Sequence, residues 1–464
     1  MGLKIFVLAF LLYLAVQCSP YGRSVVAAPE NEEILSLPGW LEKTLPSRMY
    51  TGYVPVAEHK KHLHYFFVES QGSPKNDPVI LWMQGGPGAS GFYGLFTEMG
   101  PFSLSQLSLK LNETEPVLLA NNFTWTKLAN IIFFESPVGT GYSYCDGKCP
   151  INNDTSAALD NHEFIVNFFE KFPEFKGNDF YIAGESYGGI YVPMLADEIM
   201  KNSSSEIRFR GVAVGNGCTG LQSVGGCGPD SQYTLAKFLH GHGQISTKLF
   251  ENITHSCPSG YYNNSLCAAL MVKAKRQAGV FNEYALYDEC YGIELNNATA
   301  SVSPNDYPCY QDRALKRWVT SAEVKAFFKT NIEWQNHDGN WAGYVPTKDD
   351  VLPIYDTILG KKLKVMIYYG DTDTAVSYVG GESWVTSRGF HIKDAWRPWC
   401  TGGGNLTAGH FINFEEGLRF VTVSGAGHLL PRTRPRKAFA MFENWLKNLS
   451  WKKCSSVIET CCGN

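Results

Sequence analysis

The sequence has little charge and no cluster of basic residues. Lys and Arg make up 40 of its 464 residues, Asp and Glu make up 44, and the formal net charge is −4. Proteins that bind nucleic acid or an anionic membrane surface ordinarily present a basic patch. Internal repeats and low-complexity tracts are also missing. These absences favour a globular protein with no nucleic-acid partner.

Long apolar runs are missing too, apart from Ile5–Val16 near the start of the chain. That run is shorter than the roughly 20 residues that a membrane-spanning helix needs. Lys4 precedes it and small residues follow it, which is typical of a signal peptide. We predict a signal peptide over residues 1–28, cleaved between Cys18 and Ala28, and no membrane segment in the mature chain.

Cysteine, in contrast, is plentiful, with 13 residues. Cys18 lies in the predicted signal peptide, and the even number that is left favours disulfides in an exported chain. Their connectivity does not follow from spacing. Cys145 and Cys149 are close enough in sequence to predict a local disulfide loop.

Glycosylation sequons of the form N-x-[ST] are also frequent. Together with the signal peptide and the cysteines, they predict a glycoprotein of the secretory pathway, destined for the lysosome, the vacuole or the cell exterior. The sequons begin at Asn112, Asn122, Asn153, Asn202, Asn252, Asn263, Asn297, Asn405 and Asn448.

Short apolar runs bounded by Gly or Pro recur along the chain and are typical of parallel strands covered on both faces. Helix-like segments such as Ala157–Phe172 and Val192–Met200 separate them. This alternation predicts an α/β fold with a mostly parallel central sheet covered by helices. The predicted strands are His62–Val68, Val79–Met83, Ile131–Phe134, Phe180–Ala183, Gly211–Val214, Val365–Tyr369 and Phe420–Val423.

The middle of the chain interrupts this pattern. From about Cys218 to Pro346 the sequence is rich in Cys, Asn, Tyr and Gly, and the strand pattern resumes only beyond it. We predict a cap inserted at residues 218–346 between two halves of one sheet, residues 29–217 and 347–464. The second half ends in a cysteine-containing tail. A second autonomous domain is the alternative interpretation.

A glycine-flanked serine follows one of the predicted strands. Gly184-Glu185-Ser186-Tyr187-Gly188 connects Phe180–Ala183 to a helical pattern, which is the context of a nucleophile elbow. The glycines are needed because the strand-to-helix turn is too tight for side chains, and the strained turn exposes the serine hydroxyl.

A serine nucleophile needs a base, and the base needs a carboxylate that orients it. The last predicted strand leads into a glycine-rich loop containing His428, and the strand before it ends near Asp371 and Asp373. The chain order Ser, Asp, His is that of the α/β-hydrolase fold. The pattern favours Ser186 and His428 with one of the two aspartates, which spacing alone does not distinguish.

Five segments, in chain order, carry a resemblance to one enzyme family. They are Leu81-Trp82-Met83-Gln84-Gly85-Gly86-Pro87-Gly88, Glu135-Ser136-Pro137-Val138-Gly139-Thr140-Gly141-Tyr142-Ser143, the Ser186 elbow, Gly370-Asp371-Thr372-Asp373 and Gly425-Ala426-Gly427-His428. These segments resemble the serine carboxypeptidase family, which includes lysosomal and vacuolar enzymes, and the resemblance extends over residues of about 40 to 446. The resemblance implies an α/β-hydrolase with a cap that releases C-terminal residues from peptides and proteins. It implies no cofactor and no metal ion.

The resemblance also implies roles for single residues. Ser186 is expected to be the nucleophile that forms an acyl-enzyme, and His428 the general base and then acid. Asp373, the second of the two aspartates, is expected to hold the imidazole. The backbone N–H groups of Gly86 and Tyr187 are expected to form the oxyanion hole.

Recognition of the substrate's terminal carboxylate falls, by resemblance, to Gln84, the Gly85 N–H, Glu98 and Glu185. Two crowded carboxyl groups do not both ionise readily, so one pKa rises and a proton is shared. The protonated group then donates a hydrogen bond to the substrate. We therefore expect peptidase activity to be favoured at acidic pH.

Two positions depart from the family's pattern. Gln84 stands where Asn is usual, which keeps the carboxamide on a longer arm. Ala89 stands where Cys is common, so one usual disulfide between this loop and the cap must be absent. Neither change involves the triad.

Other interpretations stay open. An acyltransferase or esterase on the same scaffold would use the same triad, and a protective binding partner of other hydrolases would use the fold with catalysis secondary. The sequence does not give the oligomeric state, and a homodimer is one alternative. His62 and His64 alternate on a predicted strand, but no third ligand follows at useful spacing, so we interpret them as structural.

Overall fold

The computed structural model describes residues 29–112, 115–202, 207–222, 227, 231–257, 265–288, 313–337, 341–401, 406–451 and 454. The predicted signal peptide lies outside these residues. So do the sequons at Asn263, Asn297 and Asn405, and four cysteines, Cys290, Cys309, Cys461 and Cys462.

A mixed sheet of twelve strands forms the centre of the described chain, in the order β1-β2-β3-β7-β4-β10-β11-β13-β16-β15-β14, with β8 also paired to β3. The remaining strands form two small pairs, β5 with β6 and β9 with β12. In chain order the strands are β1 Glu33–Ile34, β2 Met49–Val56, β3 Lys61–Val68, β4 Val79–Met83, β5 Phe102–Ser103, β6 Leu119–Ala120, β7 Asn130–Phe134, β8 Tyr144–Cys145, β9 Asn152–Asn153, β10 Phe180–Glu185, β11 Phe209–Gly215, β12 Tyr344–Val345, β13 Lys364–Gly370, β14 Ile392–Cys400, β15 Thr407–Phe414 and β16 Leu418–Val423.

The middle of the sheet is parallel and its two ends are antiparallel. The six central strands run parallel to one another, in the order β7, β4, β10, β11, β13 and β16. At the two ends of this group, β3 pairs antiparallel with β7, and β15 pairs antiparallel with β16. The register places Met83 beside Gly184 and Glu185 beside Gly215. The carboxyl ends of these strands therefore meet at one edge, where α/β folds bind their ligands.

Helices cover both faces of this sheet. They are α1 Gln106–Leu111, α2 Asp154–Lys171, α3 Gly188–Lys201, α4 Ser231–Gly241, α5 Thr247–Ser256, α6 Ser265–Ala278, α7 Arg313–Thr320, α8 Ala322–Phe327, α9 Leu352–Gly360, α10 Tyr378–Ser387, α11 Leu430–Thr433 and α12 Pro435–Leu446. Single-turn 3₁₀ segments occur at Glu30–Glu32, Trp125–Lys127 and Pro173–Phe175, and a π-helical turn occurs at Gly94–Glu98.

The side chains of each central strand alternate between two cores. In β4, Leu81 packs with the cluster that includes α2, α3 and α9, whereas Trp82 packs with the cluster on the other face, which includes α12 and α7. This burial on both faces explains why the central strands read as continuous apolar runs. The α/β-hydrolase architecture is thus the one that the sequence predicts.

The inserted cap lies between β11 and β13 in sequence. Its helices α4, α5 and α6 share a small core of their own, around residues such as Phe238, Ile253 and Met271. Helix α7 instead packs its buried face into the main core beside the sheet. The cap boundaries at residues 218 and 346 stay predictions.

Disulfides fasten several local loops. Cys145 pairs with Cys149, which confirms the predicted local loop. The other described pairs are Cys218–Cys227, Cys257–Cys267 and Cys400–Cys454. Across the described residues, no helix combines the length and the apolar character that crossing a bilayer requires.

Candidate active site

Ser186 lies in the turn between β10 and α3, at the carboxyl edge of the sheet. Its φ of 58° is in the left-handed region, which strains a residue other than glycine. A Cβ on Gly184 or Gly188 would lie 2.5 or 2.8 Å from the Met83 carbonyl oxygen. The turn therefore requires glycine on both sides of the serine, as the elbow motif predicts.

His428 and Asp373 meet on the loops that follow β16 and β13. His428 Nδ1 lies 2.7 Å from Asp373 Oδ2, and both side chains are buried. The N–H groups of Ala375 and Val376 donate to the same carboxylate, at 2.9 and 3.2 Å. These bonds fix the carboxylate, which in turn favours a proton on Nδ1 and leaves Nε2 as an acceptor.

His428 Nε2 is buried without a hydrogen-bond partner among the described residues. His428 and Ser186 line one cavity of about 620 Å³, which Gly86 and Glu185 also line. The structure thus brings the three expected triad residues to one site.

The two aspartates after β13 have different surroundings. Asp371 Oδ1 accepts a hydrogen bond from the Gly425 N–H at 2.6 Å, and Gly425 begins the loop that carries His428. Asp371 therefore braces this loop, whereas Asp373 contacts the imidazole itself. The geometry separates two residues that spacing alone does not.

The backbone at Gly85 passes directly against the elbow. A Cβ on Gly85 would lie 2.6 Å from Ser186 Cβ and 2.7 Å from the Tyr187 nitrogen. Gly86, the next residue, has a φ of 112° that favours glycine. The sequence thus keeps side chains away from the place where the expected oxyanion-hole amides lie.

Gln84, Glu98 and Glu185 form a buried cluster beside the cavity. Gln84 Nε2 donates to Glu185 Oε1 at 2.7 Å and to Glu98 Oε1 at 3.2 Å. The Trp82 indole N–H donates to Gln84 Oε1 at 2.8 Å, which sets the orientation of the amide. The long arm of Gln84 therefore reaches both carboxyl groups.

Burial changes the acidity of both glutamates. Desolvation raises the pKa of Glu98 to about 7, against the opposing influence of the neighbouring Glu185 and Gln84 side chains. Desolvation, followed by the nearby charge of Glu98, raises the pKa of Glu185 well above its ordinary value. The cluster is thus built to hold a proton in weakly acidic solution.

Comparisons with known proteins decide the family. The sequence profile described as serine carboxypeptidase matches residues 38–448. This chain belongs to the serine carboxypeptidase family. It is 32% identical to serine carboxypeptidase-like 20 of Arabidopsis thaliana, over 96% of this chain and 97% of the plant protein. It is 31% identical to the lysosomal protective protein of Mus musculus, over 90% of this chain and 94% of the mouse protein.

A solved structure has the same fold. Kex1, a prohormone-processing carboxypeptidase from Saccharomyces cerevisiae, aligns with a TM-score of 0.68 at 17% identity, covering 91% of this chain and 96% of the yeast chain. The present carboxypeptidase is therefore a serine-type peptide hydrolase on an α/β-hydrolase scaffold, and its substrates are peptides.

Sequence reasoning missed Asn216, which follows β11 in this carboxypeptidase. Its Nδ2 donates to Asp373 Oδ2 at 2.7 Å, and its Oδ1 accepts from the Gly370 N–H at 3.0 Å. Asn216 therefore links the acid of the expected triad to the strand that carries it. The segment Gly215-Asn216-Gly217 at a strand end is the signal that could have revealed this residue.

The cap supplies a second missed element, the segment around Tyr284. The Tyr284 ring stacks on the His428 imidazole, with centroids 4.4 Å apart and planes at 17°. The Tyr284 carbonyl accepts from the His428 N–H at 2.6 Å, and the Glu283 carbonyl accepts from the Thr374 N–H at 3.0 Å. The cap thus holds both loops of the Asp–His pair, and no sequence periodicity marks this contact.

Asp154, at the start of α2, is the third missed residue. Its Oδ1 accepts from the hydroxyls of Tyr187 and Tyr344, both at 2.7 Å, and its Oδ2 accepts from the Lys348 N–H at 2.7 Å. Asp154 therefore anchors the side chain of Tyr187, the residue after the elbow serine, to the segment that returns from the cap.

Proposed function

We propose that this carboxypeptidase releases the last residue of a peptide through an acyl-enzyme on Ser186. The observation that carries the proposal is the placement of a buried, proton-holding carboxyl cluster beside the cavity that Ser186 and His428 line. A serine hydrolase that takes any peptide bond has no need of such a cluster. An exopeptidase needs it, because it must recognise a free carboxylate.

The acylation step follows from the geometry of the Asp–His pair. Ser186 Oγ attacks the carbonyl carbon of the last peptide bond while its proton passes to His428 Nε2. Asp373, fixed by backbone donors, stabilises the resulting imidazolium through Nδ1. The imidazolium then gives its proton to the leaving amine, and the C–N bond breaks.

Deacylation follows the same steps, with water as the nucleophile. His428 takes a proton from water, the hydroxide oxygen attacks the acyl carbon, and Ser186 leaves with its proton restored. In both steps the oxyanion would lie against the N–H groups of Gly86 and Tyr187, where loss of one donor typically costs roughly 2.7–4 kcal/mol. The room that Gly85 leaves in front of the Tyr187 nitrogen supports this placement.

The terminal carboxylate of the substrate would bind at the glutamate cluster. A carboxylate repels ionised Glu98 and Glu185 but accepts a hydrogen bond when either is protonated. Because both pKa values are raised, the binding form persists in acidic solution; it weakens as Glu98 ionises, at a pKa of about 7, and is lost when both groups are ionised. The proposed peptidase activity is therefore highest at acidic pH.

The test is substitution of the nucleophile. Ser186→Ala should lower kcat on a blocked dipeptide by about 10⁶-fold, whereas Ser387→Ala, at the end of α10, should leave it unchanged. A serine-directed phosphonate should label Ser186 in the parent at pH 5, as peptide mapping would reveal. Release of C-terminal residues by Ser186→Ala at the parent's rate would overturn the proposal.

The same assay separates the alternatives. If an acyltransferase or esterase were the better description, an acyl-glucose donor or simple ester would be turned over well and the dipeptide poorly. If protection of another hydrolase were the main role, Ser186→Ala would still stabilise that partner. Hydrolysis of the dipeptide, lost in Ser186→Ala, supports the peptidase.

We propose a location in the secretory pathway. Disulfides such as Cys145–Cys149 belong to oxidising compartments. Five of the described sequon asparagines are exposed and accessible to a glycan. They are Asn112, Asn122, Asn202, Asn252 and Asn448. A mobility shift after glycosidase treatment of the secreted or organellar protein would test this location, and sedimentation would test the homodimer alternative.

A further inference from the structure

Helix α7 of the cap has two chemically different faces. Ala314, Leu315, Trp318 and Val319 are buried in the main core. Arg313, Lys316 and Thr320 are exposed and line the cavity that contains Ser186. Positions i, i+3 and i+7 share one side of a helix, so this side of α7 forms a basic wall of the cavity.

The basic wall lies at the end of the cavity where the substrate terminus would bind. The Trp318 ring packs on Phe96, with centroids 4.5 Å apart, and Phe96 belongs to the π-helical turn that ends at Glu98. Tyr93, just before this turn, also lines the cavity, and its hydroxyl accepts a hydrogen bond from Asn336 Nδ2 at 3.2 Å. Helix α7 thus packs against the turn that carries Glu98, one of the two glutamates of the carboxyl cluster.

Acidic side chains are scarce among the described residues that line the cavity. Of the described residues that line it, Glu185 is the only one with a carboxyl group, and burial raises the pKa of that group well above its ordinary value. None of the ion pairs between described residues involves Lys316.

We propose that the basic wall makes this carboxypeptidase selective for peptides whose last residue is Asp or Glu. The side-chain carboxylate of that residue would lie against Lys316, while its α-carboxylate occupies the site beside Glu98 and Glu185. This inference rests on the proposed exopeptidase function and specifies its substrate class. It assigns Lys316 as a specificity-determining residue.

The selectivity has a defined pH window. The side chain of a terminal Asp or Glu is ionised above about pH 4, so the attraction to Lys316 is present from there upward. Binding of the α-carboxylate weakens as Glu98 loses its proton, at a pKa of about 7. Selective release should therefore be clearest near pH 5–6.

The experiment compares kcat/KM for three blocked dipeptides that differ only in the last residue, Glu, Gln or Lys, at pH 5.5. Glu and Gln have nearly the same shape, so their ratio reports charge. Lys316→Gln should lower the Glu-to-Gln ratio about fivefold, as expected for a partly exposed charge pair. Lys316→Glu should make the Lys peptide better than the Glu peptide.

The matched control is Arg317→Gln. Arg317 is the next residue on α7, carries the same charge and is exposed, but it does not line the described cavity. It should leave the Glu-to-Gln ratio unchanged. Added salt should also reduce the parent's ratio, because screening weakens the attraction between exposed charges.

The outcomes separate this inference from the function on which it rests. Loss of the Glu preference in Lys316→Gln but not in Arg317→Gln supports the inference. A parent ratio near one, or equal effects of the two variants, overturns it while the enzyme still releases C-terminal residues. Failure to release any of the three residues overturns the exopeptidase proposal itself.

Discussion

Two buried glutamates near the cavity, Glu135 and Glu98, differ in how fully their oxygens are bonded. Glu135 accepts hydrogen bonds from Ser90 Oγ, from Trp334 Nε1 at 3.1 Å and from the Tyr142 N–H at 2.7 Å. A further partner is His64, whose Nδ1 lies 3.0 Å from Glu135 Oε2.

Glu98 is buried to the same degree but bonded less. Its Oε1 accepts from Gln84 at 3.2 Å, while its Oε2 is buried with no hydrogen-bond partner among the described residues. Buried polar atoms are seldom left in this state unless they await a ligand, a water or an ion.

This difference in hydrogen bonding distinguishes a buried carboxyl group with a structural role from one suited to binding a ligand. The four partners of Glu135 come from three segments of the core and from Trp334 in the cap, so its bonds hold those segments together. Glu98 instead has a raised pKa and an unused oxygen. That combination suits a group which gains its last partner from a substrate.

The largest expected effect comes from removing the carboxyl group of Glu135, whose oxygens are fully hydrogen-bonded. Glu135→Ala leaves Trp334 Nε1, the Tyr142 N–H and His64 without their buried partner, which should cost about 3–5 kcal/mol of unfolding free energy. Urea unfolding followed by tryptophan fluorescence would measure the loss. The control is Glu443→Ala, which removes an exposed ion pair to Lys447 and should cost less than about 1 kcal/mol.

Equal losses in these two variants would contradict the scaffolding role of Glu135. They would mean that its hydrogen bonds are no more stabilising than those of an exposed pair, and that the comparison with Glu98 rests on burial alone.

The next largest effect is expected on peptidase activity, from a substitution in the cluster of Gln84, Glu98 and Glu185. Glu185→Gln should lower kcat/KM for a blocked dipeptide at pH 5 by about 100-fold, since the amide replaces the acid proton held by the glutamate pair and weakens the buried hydrogen bond to the charged carboxylate. Hydrolysis of the matching ester, which has no terminal carboxylate, should change only slightly. Parallel assays of both substrates measure the split, and an equal loss on both would refute carboxylate recognition by this residue.

The sequence predicted the parts of the molecule that local patterns determine. The seven apolar runs became central strands because those strands are buried on both faces. The glycines around Ser186 marked the elbow because no other residue fits beside the Met83 carbonyl. The edge strand β14, Ile392–Cys400, was missed because most of its side chains are exposed or half-buried, so no apolar run reveals it.

The features that the sequence did not predict depend on contacts between residues far apart in the chain. Only the resemblance distinguished Asp373 from Asp371, since the choice depends on which carboxylate reaches His428 across 55 residues of chain. Tyr284 was missed because the cap is placed by tertiary packing. His64 was interpreted as structural, and its partner Glu135 lies 71 residues away, beyond any local pattern.

The smallest predicted effect concerns the pH dependence of stability. The folded pKa of Glu98 is about 7, above its ordinary 4.5, so the folded state holds this proton more tightly than the unfolded chain does. Stability from this group is therefore present below pH 4.5 and is lost as pH rises to 7, by about 2 kcal/mol between pH 5 and 7. Glu98→Gln, which has no proton to lose, should show a flatter dependence by that amount.

The measurement is the urea unfolding free energy of the parent and of Glu98→Gln at pH 5 and pH 7, with exposed Glu443→Gln as control. The two carboxyls interact, so Glu185 will contribute its own slope in every variant. The difference between parent and Glu98→Gln isolates the share of Glu98. If the two proteins lose the same stability between these pH values, Glu98 is ionised at pH 5 in the folded state. It would then repel a substrate carboxylate, and the contrast with Glu135 would lose its functional meaning.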